Sequence, residues 1–127
     1  MAQKILIDSD ILIDYSRYST PVVDKFTELA AENKLCISVM SYMELLIGAR
    51  DKRELTILVS FLESFEILSI NQQISQKTVE LIKEFNLSHG LQIQDAIIAS
   101  TALTYTLPLW TKNIRDFRYI KSLNLIQ

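Results

Sequence analysis

Apolar residues in this chain recur with two periods, and the change from one to the other marks where elements begin and end. Residues 4–7 form a short apolar run that stops at Asp8. After the polar triplet Asp8, Ser9, Asp10 an apolar pattern resumes from Ile11 to Tyr15, which predicts a strand, a turn and a helix. Thr20 followed by Pro21 reads as an N-cap and first helical residue, with Val22, Val23, Phe26, Leu29 and Ala30 at helical spacing behind them. Residues 35–39 predict a strand. Ser41 then opens a helix that carries Glu44, Leu45 and Leu46 until Gly48 interrupts it. Asp51 heads an amphipathic helix through Leu55, Leu58, Val59 and Leu62, and residues 66–70 predict another strand. Over residues 75–87 the spacing predicts a helix with Val79, Ile82 and Leu87 on one side and Lys77, Glu80, Lys83 and Glu84 more exposed. Asp95 stands at the head of an almost wholly apolar helix, residues 96–103, which is expected to be buried on most sides. A fourth strand over residues 107–110 precedes Thr111, Asn113 and Asp116, then a short helical turn and a last apolar run, residues 123–126.

Strands alternating with helices imply an α/β domain, with a mainly parallel central sheet and helices on both faces. In such sheets functional groups gather beyond the carboxyl ends of the strands. Asp8 and Asp116 follow predicted strands, and Glu44 and Asp95 lie near predicted helix starts, so four acids far apart in sequence could meet at one edge. The chain has 127 residues, 49% of them hydrophobic, enough for one continuous core and one domain over residues 1–127. It shows no internal repeat and no low-complexity segment. No apolar run approaches the roughly 20 residues needed to cross a bilayer, and the start lacks the basic and long apolar stretches of a signal peptide. A cytoplasmic protein is therefore expected. Cys36 is the single cysteine and cannot form an internal disulfide; its apolar setting suggests a small buried hydrophobe.

The net charge of −2 sits badly with nucleic-acid binding, which normally shows as an excess of Lys and Arg. Distribution matters more than the total, because the chain without the four acids is net +2. Each acid also has a purely local explanation. Asp8 or Asp10 could cap the following helix. Ser41 to Glu44 matches a capping box. Asp95 in a first turn could complement the helix dipole, and Asp116 could be a surface acid. Lys112, Arg115, Arg118 and Lys121 recur every three residues, a basic helical face suited either to solvent or to an RNA backbone. His89, in a polar loop before Gly90, reads as solvent-facing. Trp110 and Phe117 read as core.

Taken together, four segments resemble the motifs of the PIN-domain family. Ile5-Leu6-Ile7-Asp8-Ser9-Asp10-Ile11-Leu12-Ile13-Asp14 is similar to the opening motif, in which a strand ends in an aspartate followed by a small residue, Asn or Asp, and an apolar run. The stretch from Ser41 with Glu44-Leu45 and Gly48-Ala49 looks like the second motif. Asp95-Ala96-Ile97-Ile98-Ala99 resembles the third, and Leu109-Trp110-Thr111-Lys112-Asn113-Ile114-Arg115-Asp116-Phe117 the fourth. The small size and the Thr-x-Asn-x-x-Asp-Phe ending resemble the VapC-type toxins in particular. The resemblance implies a PIN-like three-layer α/β/α fold and an RNA-cleaving endoribonuclease. It also implies Asp8, Glu44, Asp95 and Asp116 as catalytic and metal-holding acids, with Thr111 and Asn113 supporting Asp116, while Asp10, read from its place beside Asp8, is either a further supporting acid or an N-cap. Lys112, Arg115 and Arg118 are the expected RNA contacts. The implied partners are a cognate antitoxin protein and a second copy of the chain in a homodimer. Apolar grooves around Tyr15, Val22 and Phe26 and the helix after Asp51 are the expected seat of the antitoxin's tail.

The implied cofactor is Mg²⁺ or Mn²⁺, hard cations that take oxygen ligands. With a single His and a single Cys, a typical zinc site is excluded. Two carboxylates about 5 Å apart repel by roughly 3 kcal/mol at an effective dielectric near 20, so four in one place need a cation or raised pKa values.

Other readings compete. Asp8-Ser9-Asp10 after a strand also resembles the nucleophile motif of haloacid-dehalogenase-like phosphatases. That motif expects Thr or Val where Leu12 stands, and a late acidic pair that Asn113 and Asp116 match poorly. A phospho-accepting receiver domain would need an Asp near Ile70 and Asn71. A third alternative is a non-catalytic PIN-like interaction module, for which an intact acidic quartet gives no sign.

Overall fold

The computed structural model describes residues 3–17 and 20–126. Five strands, β1 (Gln3–Ile7), β2 (Asn33–Ser38), β3 (Glu66–Leu68), β4 (Leu109–Trp110) and β5 (Leu125–Ile126), form one sheet in the order β3-β2-β1-β4-β5. Every pairing among them is parallel, with Leu6 opposite both Cys36 and Leu109. Parallel neighbours need crossovers, and seven helices supply them: α1 (Ser9–Ser16), α2 (Thr20–Glu32), α3 (Val39–Ile47), α4 (Lys52–Leu62), α5 (Gln72–His89), α6 (Ile93–Tyr105) and α7 (Ile114–Phe117).

Alternation along the strands splits the core into two layers. Leu6, Cys36, Leu68 and Leu109 face Leu81, Ala96, Ile98, Ala99, Ala102 and Phe117 from α5, α6 and α7. On the opposite face, Ile5, Ile7, Leu35, Ile37 and Trp110 pack on Ile11 and Leu12 of α1, Phe26 of α2 and Leu62 of α4. This is the expected three-layer α/β/α arrangement. The strand order reverses at β1, whose neighbours are β2 on one side and β4 on the other. A crevice therefore opens beyond the carboxyl ends of β1 and β4, where Asp8 and Thr111 follow directly.

Several local expectations are corrected. Helix α3 starts at Val39, and its cap is Ser38, whose hydroxyl accepts from the Met40 amide. Ser41 lies inside the first turn and is fully buried, so it does not open the helix, and Glu44 falls a turn too late for a capping box. Thr20 is already helical, and the residue before it lies outside the described residues. Asp51 caps α4 as expected, accepting from the Glu54 amide.

In α5, which is longer than predicted and capped by Asn71, the inward positions are Ile74, Thr78 and Leu81, joined by Ile82 and Phe85. Val79 and Leu87 are exposed, contrary to the expected apolar side. The strand predicted for 66–70 ends at Leu68, and the one predicted for 107–110 begins at Leu109. The last apolar run supplies the edge strand β5 beside β4.

Candidate functional site

The first acid is fixed by the fold. Main-chain pairing of the Asp8 amide to the Trp110 carbonyl, 2.9 Å, ends β1 against β4, and Asp8 caps α1. Its carboxylate accepts from the Ser9 amide at 2.7 Å and from the Thr111 hydroxyl at 2.8 Å. Asp8 is only 5% exposed. Burial, joined by the charge of Asp10, pushes its carboxyl up to about 7, against the opposing pull of the Thr111 and Ser9 hydrogen bonds.

Asp10 stands beside it, one oxygen accepting from the Lys112 amide at 3.1 Å and from the Thr111 hydroxyl at 3.4 Å. Its other oxygen is buried and, among the described residues, has no hydrogen-bond partner. Burial raises the Asp10 carboxyl as well. The fully buried Thr111 is thus the common partner of both acids, and its oxygen also accepts from the Asn113 amide at 3.0 Å. Thr111 therefore braces Asp8 and Asp10 rather than Asp116. Asn113 meets Asp116 through the main chain alone, its carbonyl accepting from the Asp116 amide at 3.0 Å.

Glu44 comes from α3, one turn after the buried Ser41 on the same face. Ser9 links this helix to the first motif, its hydroxyl lying 3.1 Å from the Ser41 hydroxyl and 3.5 Å from a Glu44 oxygen. Burial raises the Glu44 carboxyl and the Ser9 contact opposes it. Asp95 sits in the first turn of α6, whose N-cap Gln92 makes no side-chain cap bond. Burial first, then the charges of Asp116, Glu44 and Asp10, push Asp95 up to about 6. Asp116 is exposed on α7 and reaches the set through Asp95. Asp95 thus lies within range of the charges of Asp8, Asp10, Glu44 and Asp116 at the sheet's carboxyl edge.

The donor set is all oxygen. Among the described residues no three acids are close enough to form a ready-made ligand cluster. An edge of half-buried, mutually repelling carboxylates, one of them with an orphaned oxygen, fits a hard divalent ion that keeps several waters and takes only one or two carboxylates directly. These residues could hold such an ion.

The basic residues divide. Lys112 pairs with Asp14, so its ammonium is engaged. The expected basic helical face does not form, because α7 is a single turn. Arg115, Arg118 and Lys121 instead line a groove of about 450 Å³ that also contains Asp95, Asp116 and Gln92. His89 lines it too: it is the last residue of α5 rather than a loop residue, and it stacks on Tyr119 with ring centroids 4.2 Å apart. Sequence reasoning passed over Ser9 and Ser41 as site contacts, Asp14 as the partner of Lys112, and Tyr119 altogether. The only sequence signal for them was their proximity to the motifs.

The chain resembles known proteins over most of its length. The PIN-domain family model matches residues 5–122. The chain is 32% identical over 124 residues to ribonuclease VapC1 of Methanocaldococcus jannaschii, covering 96% of this chain and 85% of that protein. Its fold is similar to one in a toxin-antitoxin complex from Klebsiella pneumoniae, with a TM-score of 0.79, 30% identity and coverage of 97% and 96% of the two chains. It is also similar to a chain of VapBC2 from Rickettsia felis bound to a promoter DNA fragment, with a TM-score of 0.83, 25% identity and 98% of each chain covered. PIN-domain VapC ribonucleases generally depend on a divalent metal. On the family match and these likenesses together, the chain belongs to the PIN-domain family, in its group of VapC ribonucleases.

Proposed function

We propose that this chain is the ribonuclease toxin of a toxin-antitoxin pair, hydrolysing RNA phosphodiester bonds at the edge formed by Asp8, Glu44, Asp95 and Asp116 with Mg²⁺ or Mn²⁺. One observation carries the reading: the carboxylate of Asp8 is buried where the strand order reverses, braced by Thr111, and, among the described residues, paired with no cation. Names of relatives support it, since one is a ribonuclease and two structures are toxin-antitoxin assemblies.

When bound, a divalent ion supplies Lewis-acid stabilisation of the phosphoryl oxygens and a more acidic water. The residues do the rest. Asp8 and Glu44 would hold the ion, with Thr111 and Ser9 fixing the Asp8 carboxylate in one orientation and Asp10 sharing the Thr111 hydroxyl. Asp95 or Asp116 orients the attacking water, and Asn113 ties the Asp116 turn to Thr111. Arg115 and Arg118 neutralise phosphates in the groove.

The same acidity tells what would inhibit it. An antitoxin tail presenting an arginine satisfies two carboxylate oxygens at once and keeps its charge at cellular pH. An apolar groove on Tyr15, Ile57, Leu58 and Phe61, of about 240 Å³, suits the rest of such a tail. Among the described residues no helix is long and apolar enough to cross a membrane, and a homodimer working in the cytoplasm completes the reading.

Expression in a host tests it. The wild type should slow growth, Asp8→Asn should not, and the product of a neighbouring gene should co-purify and restore growth. A chain that is harmless at high expression and binds no neighbour-encoded protein overturns the toxin reading.

A further inference from the structure

The groove beside Asp95 and Asp116 contains a feature that metal chemistry does not use. His89 is exposed, yet its imidazole is backed face to face by Tyr119, with centroids 4.2 Å apart and an interplanar angle of 17°. Phe85 supports both rings from below, 5.0 Å from Tyr119 and 5.8 Å from His89. The Ser88 hydroxyl lies 2.8 Å from His89 Nδ1 and holds the ring. Gly90, in the left-handed conformation at φ 74°, ends α5 under this stack and turns the chain toward Gln92 and α6. The result is an aromatic step whose supporting rings, Phe85 and Tyr119, are half-buried and pack against the core.

Cations flank it. Arg115, Arg118 and Lys121 line the same groove, and among the described residues none of the three is in an ion pair. An exposed aromatic face next to unpaired cations is the combination that binds single-stranded nucleic acid: bases stack on the ring and phosphates meet the charges. A duplex cannot use it, because its bases are already stacked in the helix.

We infer that His89, carried on Tyr119, is a stacking platform for one unpaired nucleobase adjacent to the scissile phosphate. This rests on the nuclease reading above. The platform sets where along the RNA the phosphodiester reaches Asp95 and Asp116, so it governs binding and choice of site and not the chemistry of cleavage. Gln92, whose amide donates to the Gly90 carbonyl at 3.0 Å, lies beside it in position to meet a base edge.

The test compares wild type, His89→Ala, His89→Phe and, as a control on the exposed face of α5, Lys83→Ala. Two readouts are used. Cleavage kinetics are measured on a short RNA in Mg²⁺, and 2-aminopurine fluorescence of the same RNA, substituted at each position in turn, is followed in EDTA. Removing a stacked base contact should raise KM roughly tenfold with kcat nearly unchanged. His89→Phe should restore KM, because stacking needs only the ring, and Lys83→Ala should match wild type. Fluorescence should be quenched at one position by wild type and His89→Phe, and much less by His89→Ala. Equal KM and equal quenching for His89→Ala and wild type overturn the platform, as does a fall in kcat alone that phenylalanine does not rescue. If the wild type cuts no RNA under any metal condition, the nuclease reading fails instead, which separates the two ideas.

Discussion

Replacing Asp8 by Asn should make the metal-free protein more stable while removing its activity. The carboxylate is 5% exposed and pushed from 3.8 to about 7, mainly by burial and by the charge of Asp10. A raised carboxyl is a stabilising proton at low pH. That contribution is fully present below the unfolded value and is lost as pH rises through the folded value. The loss begins near 4 and is complete above about 7. At about 1.4 kcal/mol per decade, the raised carboxyl destabilises the apoprotein, relative to an unshifted one, by about 4 kcal/mol at pH 8, where it is ionised, and by about 2 kcal/mol at pH 5, where folding must take up a proton. Asn keeps the cap by accepting from Ser9, but its amide nitrogen replaces the oxygen that accepts from Thr111, and the loss of that hydrogen bond costs about 1 kcal/mol. The variant should therefore gain about 3 kcal/mol at pH 8, roughly 10 °C in Tm for a chain of this size. Thermal melts in EDTA from pH 5 to 8 measure this. Saturating Mg²⁺ should close the gap by stabilising the wild type, by about 2.7 kcal/mol at a hundredfold excess over Kd, and should affect the variant less. A variant less stable than wild type at pH 8, or a gain that does not shrink toward pH 5, would refute the electrostatic account of Asp8.

Thr111→Val takes the donor from Asp8 and the acceptor from the Asn113 amide, and should cost about 2 kcal/mol by thermal melting, with Thr111→Ser recovering most of it. Ser38→Ala should cost about 1 kcal/mol of denaturant stability as the loss of an N-cap, whereas Ser41→Ala should leave the α3 terminus intact. Gly90→Ala should cost about 1 kcal/mol in the same assay. Nothing lies within 4 Å of an added Cβ, so the penalty is conformational and comes from the positive φ.

Element types followed from hydrophobic period, because strands buried on both faces read as short apolar runs, whereas the strand order β3-β2-β1-β4-β5 is visible only in the structure. Where the reading slipped, two sequence features competed for one structural role. Ser38 and Ser41 both precede apolar helical residues, and Ser38 takes the cap because β2 ends at that residue. Val79 and Leu87 looked like a core stripe, yet the packed stripe of α5 runs through Ile74, Thr78 and Leu81, with a threonine whose hydroxyl returns to its own helix at the Ile74 carbonyl. The four acids were legible as a set from the motifs. Their bracing was not: Thr111 lies 103 residues from Asp8, and only the β1-β4 pairing brings it there. Likewise the pairing of His89 with Tyr119 depends on how the chain after α7 returns across the end of α5, which no local pattern encodes.

RNA cleavage by purified wild type, Asp8→Asn and Asp95→Asn, measured in EDTA and then with Mg²⁺ or Mn²⁺ restored, tests the central claim most directly. The wild type should be inactive in EDTA and active with either ion, and both variants should be folded and inactive throughout, since Asn preserves caps but not metal-holding charge. Undiminished cleavage in EDTA, or wild-type rates from both variants, would contradict the metal-dependent acidic edge.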